Sequence, residues 1–424
     1  NLININYSSP KIHISRKFVN CSSYLERFSF NESFSHINVI ARGKAFTMGN
    51  WNGPVFQHGN LNGVRYNHPT TTKGNKNILL TSDLKGKDNI EIHSIEKHKM
   101  IKRLKSSCGR ILSIKRSPTD DLFAIINYKH ELILLNLKKD LLTIIDRSKK
   151  SPLSCNWSPC GKFIAYSCSN KVKCRVIKIY DLKNKKSHTI TEGISSDSSP
   201  VFDPNGKFLA FLSNRTFNPV YDSIQFDLGF PVSDKPYIVV LSKITPSPFL
   251  KDPNDLAEVD KKSDKKKKPE KIKTIIDFKN IQDRIIGIPI KESSLDASIG
   301  FNNNKIFYLS WPLISDNNND PNTKGTLKYY DLNLLEEKNY VSGVVDFSVI
   351  KNNMVIYNGN DIRLLTSDSP PTKEALINPK FNKPSGLIDL NRIKIEINLI
   401  QEWKQMYSEA WRLQRDHFWV PNMS

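Results

Sequence analysis

Short apolar runs recur along the chain, and a polar turn leads into most of them. The clearest are Phe163-Ile164-Ala165-Tyr166 after Ser158-Pro159-Cys160-Gly161, and Phe208-Leu209-Ala210-Phe211 after Asp203-Pro204-Asn205-Gly206. Pro presets φ, Ser or Asp bonds nearby backbone and Gly takes the exit, so each phrase predicts a type I turn feeding a strand. Weaker copies are Ser117-Pro118-Thr119-Asp120 before Leu122-Phe123-Ala124-Ile125-Ile126, Asn303-Asn304 before Ile306-Phe307-Tyr308, and Asn352-Asn353 before Met354-Val355-Ile356-Tyr357. Ile37-Asn38-Val39-Ile40-Ala41 and Ile78-Leu79-Leu80-Thr81 complete the series.

The runs begin near 37, 78, 122, 163, 208, 305 and 354, in steps of 41, 44, 41, 45, 97 and 49 residues. Four-stranded propeller blades repeat at about 40 to 50 residues, so the spacing predicts seven blades with one insertion. A second echo, Ile179-Tyr180-Asp181-Leu182 and Tyr329-Tyr330-Asp331-Leu332, falls one strand later. An irregular β-sandwich is the alternative, and the regular spacing counts against it. The expected fold class is all-β, a seven-bladed β-propeller over 23–385 with a short C-terminal α-helical segment. Residues 1–22 are expected to be a linker from a preceding domain, and 386–424 a linker and the first helix of a downstream helical domain.

Twenty-one Phe, fourteen Tyr and six Trp provide large side chains to wedge between blades. The chain has a mean hydropathy of -0.45 and no 18-residue apolar stretch, so no membrane span is expected. Its six cysteines, at 21, 108, 155, 160, 168 and 174, form no paired CxxC spacing and are too sparse for a disulfide scaffold. Reduced thiols and a cytoplasmic setting are expected. The opening Asn1-Leu2-Ile3-Asn4 has neither Met nor a basic-then-apolar leader, which reads as a fragment.

A net charge of +21 raises nucleic-acid binding. Most of the excess is Lys scattered among Asn and Ile. The one dense run, Lys261 to Lys268, follows acidic Asp252, Asp255, Glu258 and Asp260 and has no interleaved aromatic residue for base stacking. Nucleic acid is therefore disfavoured, and 245–273 reads as a charged, mobile insertion within the long step.

Motifs for catalysis are missing: there is no G-x-S-x-G, P-loop, H-E-x-x-H or G-x-G-x-x-G after a strand. His93, Glu96 and His98 have a metal-like spacing but read as surface residues. Ser195 to Ser199 reads as a turn capping the next strand. No catalytic residue, metal or cofactor is implied. These residues alone point to a propeller that binds or scaffolds a partner.

The closing segment has its own rhythm. Trp403, Met406, Tyr407, Ala410, Trp411, Gln414 and Phe418 follow i, i+3, i+4, i+7 spacing, while Lys404, Glu409, Arg412 and Arg415 take other faces. Val420-Pro421 is expected to end the helix. A propeller does not need such a helix to close. Trp403, Tyr407, Trp411 and Phe418 are thus candidates for docking a further domain, the alternative being a helix packed on its own propeller.

Two segments are too particular for propeller filler: Ala41 to Gly59, rich in Gly and polar groups, and Ser213-Asn214-Arg215-Thr216-Phe217-Asn218-Pro219-Val220-Tyr221-Asp222 through Phe230-Pro231. Together with Tyr237-Ile238-Val239-Val240-Leu241, Thr245-Pro246-Ser247-Pro248-Phe249 and Glu409-Ala410-Trp411-Arg412-Leu413-Gln414-Arg415-Asp416, they resemble the tricorn protease family nearly end to end. The resemblance implies a large, cytoplasmic, homo-oligomeric serine peptidase with a six-bladed propeller, a seven-bladed propeller, a helical domain, a PDZ-like domain and a catalytic domain in order. This chain is similar to the second propeller and the first helix beyond it. In the family that propeller is assigned to admitting peptides, and the catalytic His, Ser and acid come from later segments, so none is carried over. Thr70 to Asn77, Phe56 and the Lys-rich insertion depart from the family pattern. Arg42, Trp51, His58 and Arg65 in the first segment, with Arg215, Asp222 and Asp227 in the second, are candidates for lining a loop face or channel. The alternative for each is a structural role, bonding the backbone of unusual turns.

Overall fold

The computed structural model describes residues 8, 10–59, 62–149, 153–169, 174–216, 219–222, 227–229, 232–250, 272–312, 323–377, 379–418 and 420. The chain is a seven-bladed β-propeller with one long C-terminal helix. It falls into two compact units, Asn1–Ile111 with Asp389–Ser424, and Leu112–Ile388.

The first unit holds two antiparallel four-stranded blades. Blade one runs Leu25–Phe30, His36–Ala41, Lys44–Gly49, Val55–His58, and blade two runs Tyr66–Thr71, Asn77–Ser82, Asn89–Ser94, Met100–Arg103. In the second unit, blade three begins at Ile111–Arg116, blade four at Ser154–Trp157, blade five at Asp197–Phe202 and blade six at Ser294–Asn302. Blade seven has three strands, Asp346–Ile350, Asn353–Tyr357 and Ile362–Thr366. A bridge between Arg363 and Leu387 supplies the fourth position. Each of the seven apolar runs is the second strand of its blade.

The predicted turns form as their letters dictate. Ser158 N–H bonds the Phe163 carbonyl at 2.9 Å, Gly161 N–H bonds the Ser158 carbonyl at 2.9 Å, and Ser158 Oγ accepts from Phe163 N–H at 3.0 Å. Asp203 repeats the pattern, with Lys207 N–H on its carboxylate at 3.2 Å. Gly161 and Gly206 take φ of +69° and +72°, which a side chain tolerates poorly. The departure at 70–77 resolves in the same way. Thr72 takes the Ser or Asp place, its N–H on the Asn77 carbonyl at 2.9 Å, and Gly74 and Asn75 supply the positive φ.

Successive residues of a strand face opposite sides, so each second strand feeds two cores and reads as an unbroken apolar run. Ile164 and Tyr166 join Leu132 and Trp157 between blades three and four. Ala165 turns the other way, to Phe211 and Val239 between blades four and five. Tyr308 and Tyr330 fill the seam between blades five and six, Phe307 and Tyr329 that between six and seven, and Ile40, Tyr66 and Leu80 that between one and two. Burial of each large side chain contributes about 1.5 to 3 kcal/mol. First strands are also stitched by polar groups: Ser154 Oγ accepts from Ser199 N–H at 3.2 Å, and Asn156 Oδ1 from Phe202 N–H at 3.1 Å.

Two stretches read as linkers carry structure. Lys17–Asn20 pairs antiparallel with Lys394–Ile397, and this sheet leads directly into the helix Leu399–His417. Asn398 caps the helix, its side chain accepting from Gln401 N–H at 3.3 Å. Phe418, expected on the helix, lies just past its end in extended conformation.

Candidate functional site

The Gly-rich segment and the closing helix meet in the first unit. Arg42, in the turn between the second and third strands of blade one, reaches Glu402 at 2.5 Å and stacks over the Tyr24 ring at 4.7 Å. Arg65, just before blade two, reaches Glu409 at 3.0 Å. Arg110, at the start of the next first strand, reaches the same carboxylate at 2.5 Å. Asp83, which follows the second strand of blade two, accepts from Arg412 at 2.6 Å, from Gln405 at 3.0 Å and from Arg65 N–H at 2.7 Å. Arg42, Arg65, Asp83 and Arg110 all sit where strands begin or turn, which brings residues far apart in sequence under one helix.

Glycines make the fit possible. A Cβ on Gly63, at φ +70°, would meet the Gln401 carbonyl at 3.3 Å, and one on Gly43, at φ +67°, would meet Arg65 Cγ at 3.0 Å. The Gly-rich stretch is therefore where backbone approaches the helix and its anchoring arginine.

His58 is buried, with Nε2 2.8 Å from Thr47 Oγ1 and its ring edge-on to His93. Burial, with His93 and His98 adding to it, pulls its pKa down to about 4. Trp51 Nε1 and His58 Nδ1 are buried with no hydrogen-bond partner. The expectation that His93 is a surface residue is corrected. It points inward from the third strand of blade two and bonds Glu91 at 3.0 Å. Burial raises the Glu91 carboxyl, but bonds from His93 and Arg103 outweigh it and hold Glu91 below the usual range. Glu96 and His98 are exposed, and His98 stacks on Phe56 at 4.0 Å, which accounts for the aromatic at that position. Among the described residues no group of His, Cys, Asp and Glu is arranged to hold a metal.

In the second unit Arg215 follows the second strand of blade five. It lies over the rings of Phe211 and Tyr237, at 5.5 and 5.1 Å, and reaches buried Asp197 at 3.3 Å. Ser196 accepts from Arg175 Nε at 3.0 Å, and Asp197 to Ser199, expected in a turn, instead open the first strand of blade five, Asp197–Phe202. Val220–Asp222 pairs with Asp227–Gly229 in a small hairpin. The side chains of Asp222 and Asp227 lie outside the described residues, as does most of the 245–273 insertion.

The structure thus gathers Arg42 and Arg65 under the helix, sets His58 in a blade core and leaves Arg215 alone in the other unit. Reading the letters missed Asp83, Arg110, Glu402 and Glu409. Glu402 and Glu409 signal themselves only through a polar stripe on the helix at 402, 405, 409 and 412, and nothing in the sequence marks Asp83 or Arg110. Trp403, Tyr407 and Trp411, on the opposite side, are 48, 81 and 55% exposed, and Phe418 is 39% exposed. Among the described residues no helix is long and apolar enough to cross a membrane.

Residues 25–368 match the family described as the tricorn protease second beta propeller domain, and 400–424 match the tricorn protease C1 domain. Over 99% of its length the chain is 32% identical to a tricorn-like protease C-terminal subunit of Sulfurisphaera tokodaii, covering 46% of that protein. It is 29% identical over 98% of its length to a tricorn protease homolog of Saccharolobus solfataricus, covering 37% of it. The chain spans less than half the length of these relatives. A crystal structure of the tricorn protease superposes with a TM-score of 0.79 at 19% identity, over 98% of this chain and 39% of that one.

Proposed function

This chain belongs to the tricorn protease family, and from that premise we propose that it is the propeller part of a cytoplasmic, homo-oligomeric serine peptidase. In this reading the propeller selects and passes unfolded peptides toward a catalytic centre outside the chain, and the helix 399–417 docks a helical domain through Trp403, Tyr407, Trp411 and Phe418. The observation that carries the reading is the order of the matches, a tricorn propeller over 25–368 followed by a C1 match that begins inside the helix held on blades one and two. Relatives named as proteases support the hydrolase class. Acyl transfer by an activated serine would be the chemistry, with this chain contributing access and assembly.

The test is hydrolysis of fluorogenic peptides and of unfolded casein by this chain alone and by the full-length protein that contains it. The expected result is no turnover by the chain, and turnover by the full-length protein that a serine-directed phosphonofluoridate abolishes. Turnover by the chain would refute a catalytic centre elsewhere. A full-length protein inert toward both substrates would refute the peptidase reading.

A further inference from the structure

The helix 399–417 is attached the wrong way round for an amphipathic helix. Such helices ordinarily bury their apolar stripe and show their charges to water. Here the residues that bond to the blades are Glu402, Gln405, Glu409 and Arg412, three and four apart on one stripe. At 3.6 residues per turn, Trp403, Tyr407 and Trp411 fall on the opposite side, and they are exposed. No residue of the helix is fully buried. In proteins most helical stability comes from tertiary packing rather than from helix propensity. Ionic contacts therefore stand in for the missing apolar seat.

Those contacts are a connected cluster around Glu409 and Asp83 and, near the start of the helix, the Arg42–Glu402 pair. Glu409 is shared by Arg65, Arg110 and, at 3.9 Å, by its own neighbour Arg412, and Arg412 carries the cluster on to Asp83. Asp88, whose carboxyl burial raises, takes Ile111 N–H at 3.1 Å beside the same arginines. The contacts are not saturated: Arg42 Nε, Arg65 Nε and Glu402 Oε1 are buried without a partner, and a partly satisfied network holds less firmly than a complete one.

We propose that these contacts form a conformational latch. It keeps the helix folded on blades one and two with no partner present, offers the aromatic stripe already formed, and frees the helix when Glu402 and Glu409 lose their arginines. A preformed stripe lowers the ordering cost of any later association. The latch does not depend on what the stripe meets, so it stands or falls separately from the peptidase reading.

Amide hydrogen exchange on the purified chain, read by mass spectrometry, tests it, with the second strands of blades one and two as internal folding controls. Helix amides should be protected in the unmodified chain, and Glu409→Ala should speed their exchange about tenfold or more while the control strands keep their rates. Arg42→Glu and Glu402→Arg should each do the same, and the two together should return protection to within about threefold of the original. Helix amides that exchange freely in the unmodified chain would overturn the latch. So would Glu409→Ala with no effect, a swapped pair that fails to restore protection, or variants in which the control strands lose protection equally.

Discussion

Arg412 donates to Asp83 at 2.6 Å across 329 residues of sequence. Asp83 is only 3% exposed, and its other oxygen accepts the Arg65 N–H at the doorway of blade two. One carboxylate thus fixes both the start of a blade and the helix above it.

Removing the arginine leaves that buried carboxylate without its cation, held only by the neutral donors Gln405 and the Arg65 N–H. Arg412→Ala should therefore cost about 2 to 3 kcal/mol, whereas Lys404→Ala on the same helix, which lacks a described partner, should stay within about 0.5 kcal/mol. Urea unfolding followed by Trp fluorescence checks both, since Trp403 and Trp411 report on the helix directly.

The turn glycines separate backbone strain from packing. Gly74 sits at φ +81° with open space where a Cβ would go, while a Cβ on Gly206, at φ +72°, would meet Thr274 Oγ1 at 2.5 Å. Gly74→Ala should cost the left-handed strain alone, about 1 kcal/mol. Gly206→Ala should cost about 1 kcal/mol more, because Thr274 must move. Equal melting temperatures for the two variants would contradict the second half of this expectation.

His58 makes stability depend on pH. Its folded pKa, about 4, lies below the unfolded value of 6.5, so between those values the unfolded chain binds the extra proton and stability rises with pH. The contribution is fully present above pH 6.5 and is lost as pH falls toward 4, about 3 kcal/mol in all. Thr47, His93 and His98 face the ring, and none offers it a compensating negative charge. The melting temperature of His58→Gln should fall less between pH 7 and pH 4.5 than that of the unmodified chain.

What the letters reveal follows from how local each feature is. The turns at Ser158 and Asp203 are complete within six residues, so the phrase names both the turn and the strand after it. The helix also declares its two stripes. Its anchors do not, because Arg42 and Glu402 are 360 residues apart and nothing in either neighbourhood records the other. His93 reads as a surface residue because on a strand-and-turn segment it need not share a face with Glu96 and His98, but strand alternation turns it inward against Tyr66 at 5.9 Å. The sheet of Lys17–Asn20 with Lys394–Ile397 was illegible for a different reason. Its first strand is four residues long, largely exposed and without apolar alternation.

The aromatic stripe gives the last expectation, and it separates a docking role from a structural one. Trp403, Tyr407 and Trp411 are each close to half exposed or more, so truncating them removes little buried area from this chain. Combined Trp403→Ala, Tyr407→Ala and Trp411→Ala should change its unfolding free energy by less than about 1 kcal/mol, as surface substitutions do. If the stripe seats a helical domain, the same change in the full-length protein deletes aromatic anchors of the kind that dominate interfaces, each worth about 2 kcal/mol or more. Full-length protein should then lose assembly on a sizing column and lose peptide hydrolysis, with the propeller still folded by circular dichroism. A triple variant that assembles and hydrolyses normally would show that the stripe is not the seat. One that unfolds the isolated chain would mean that the aromatic side carries stability which its exposure does not account for.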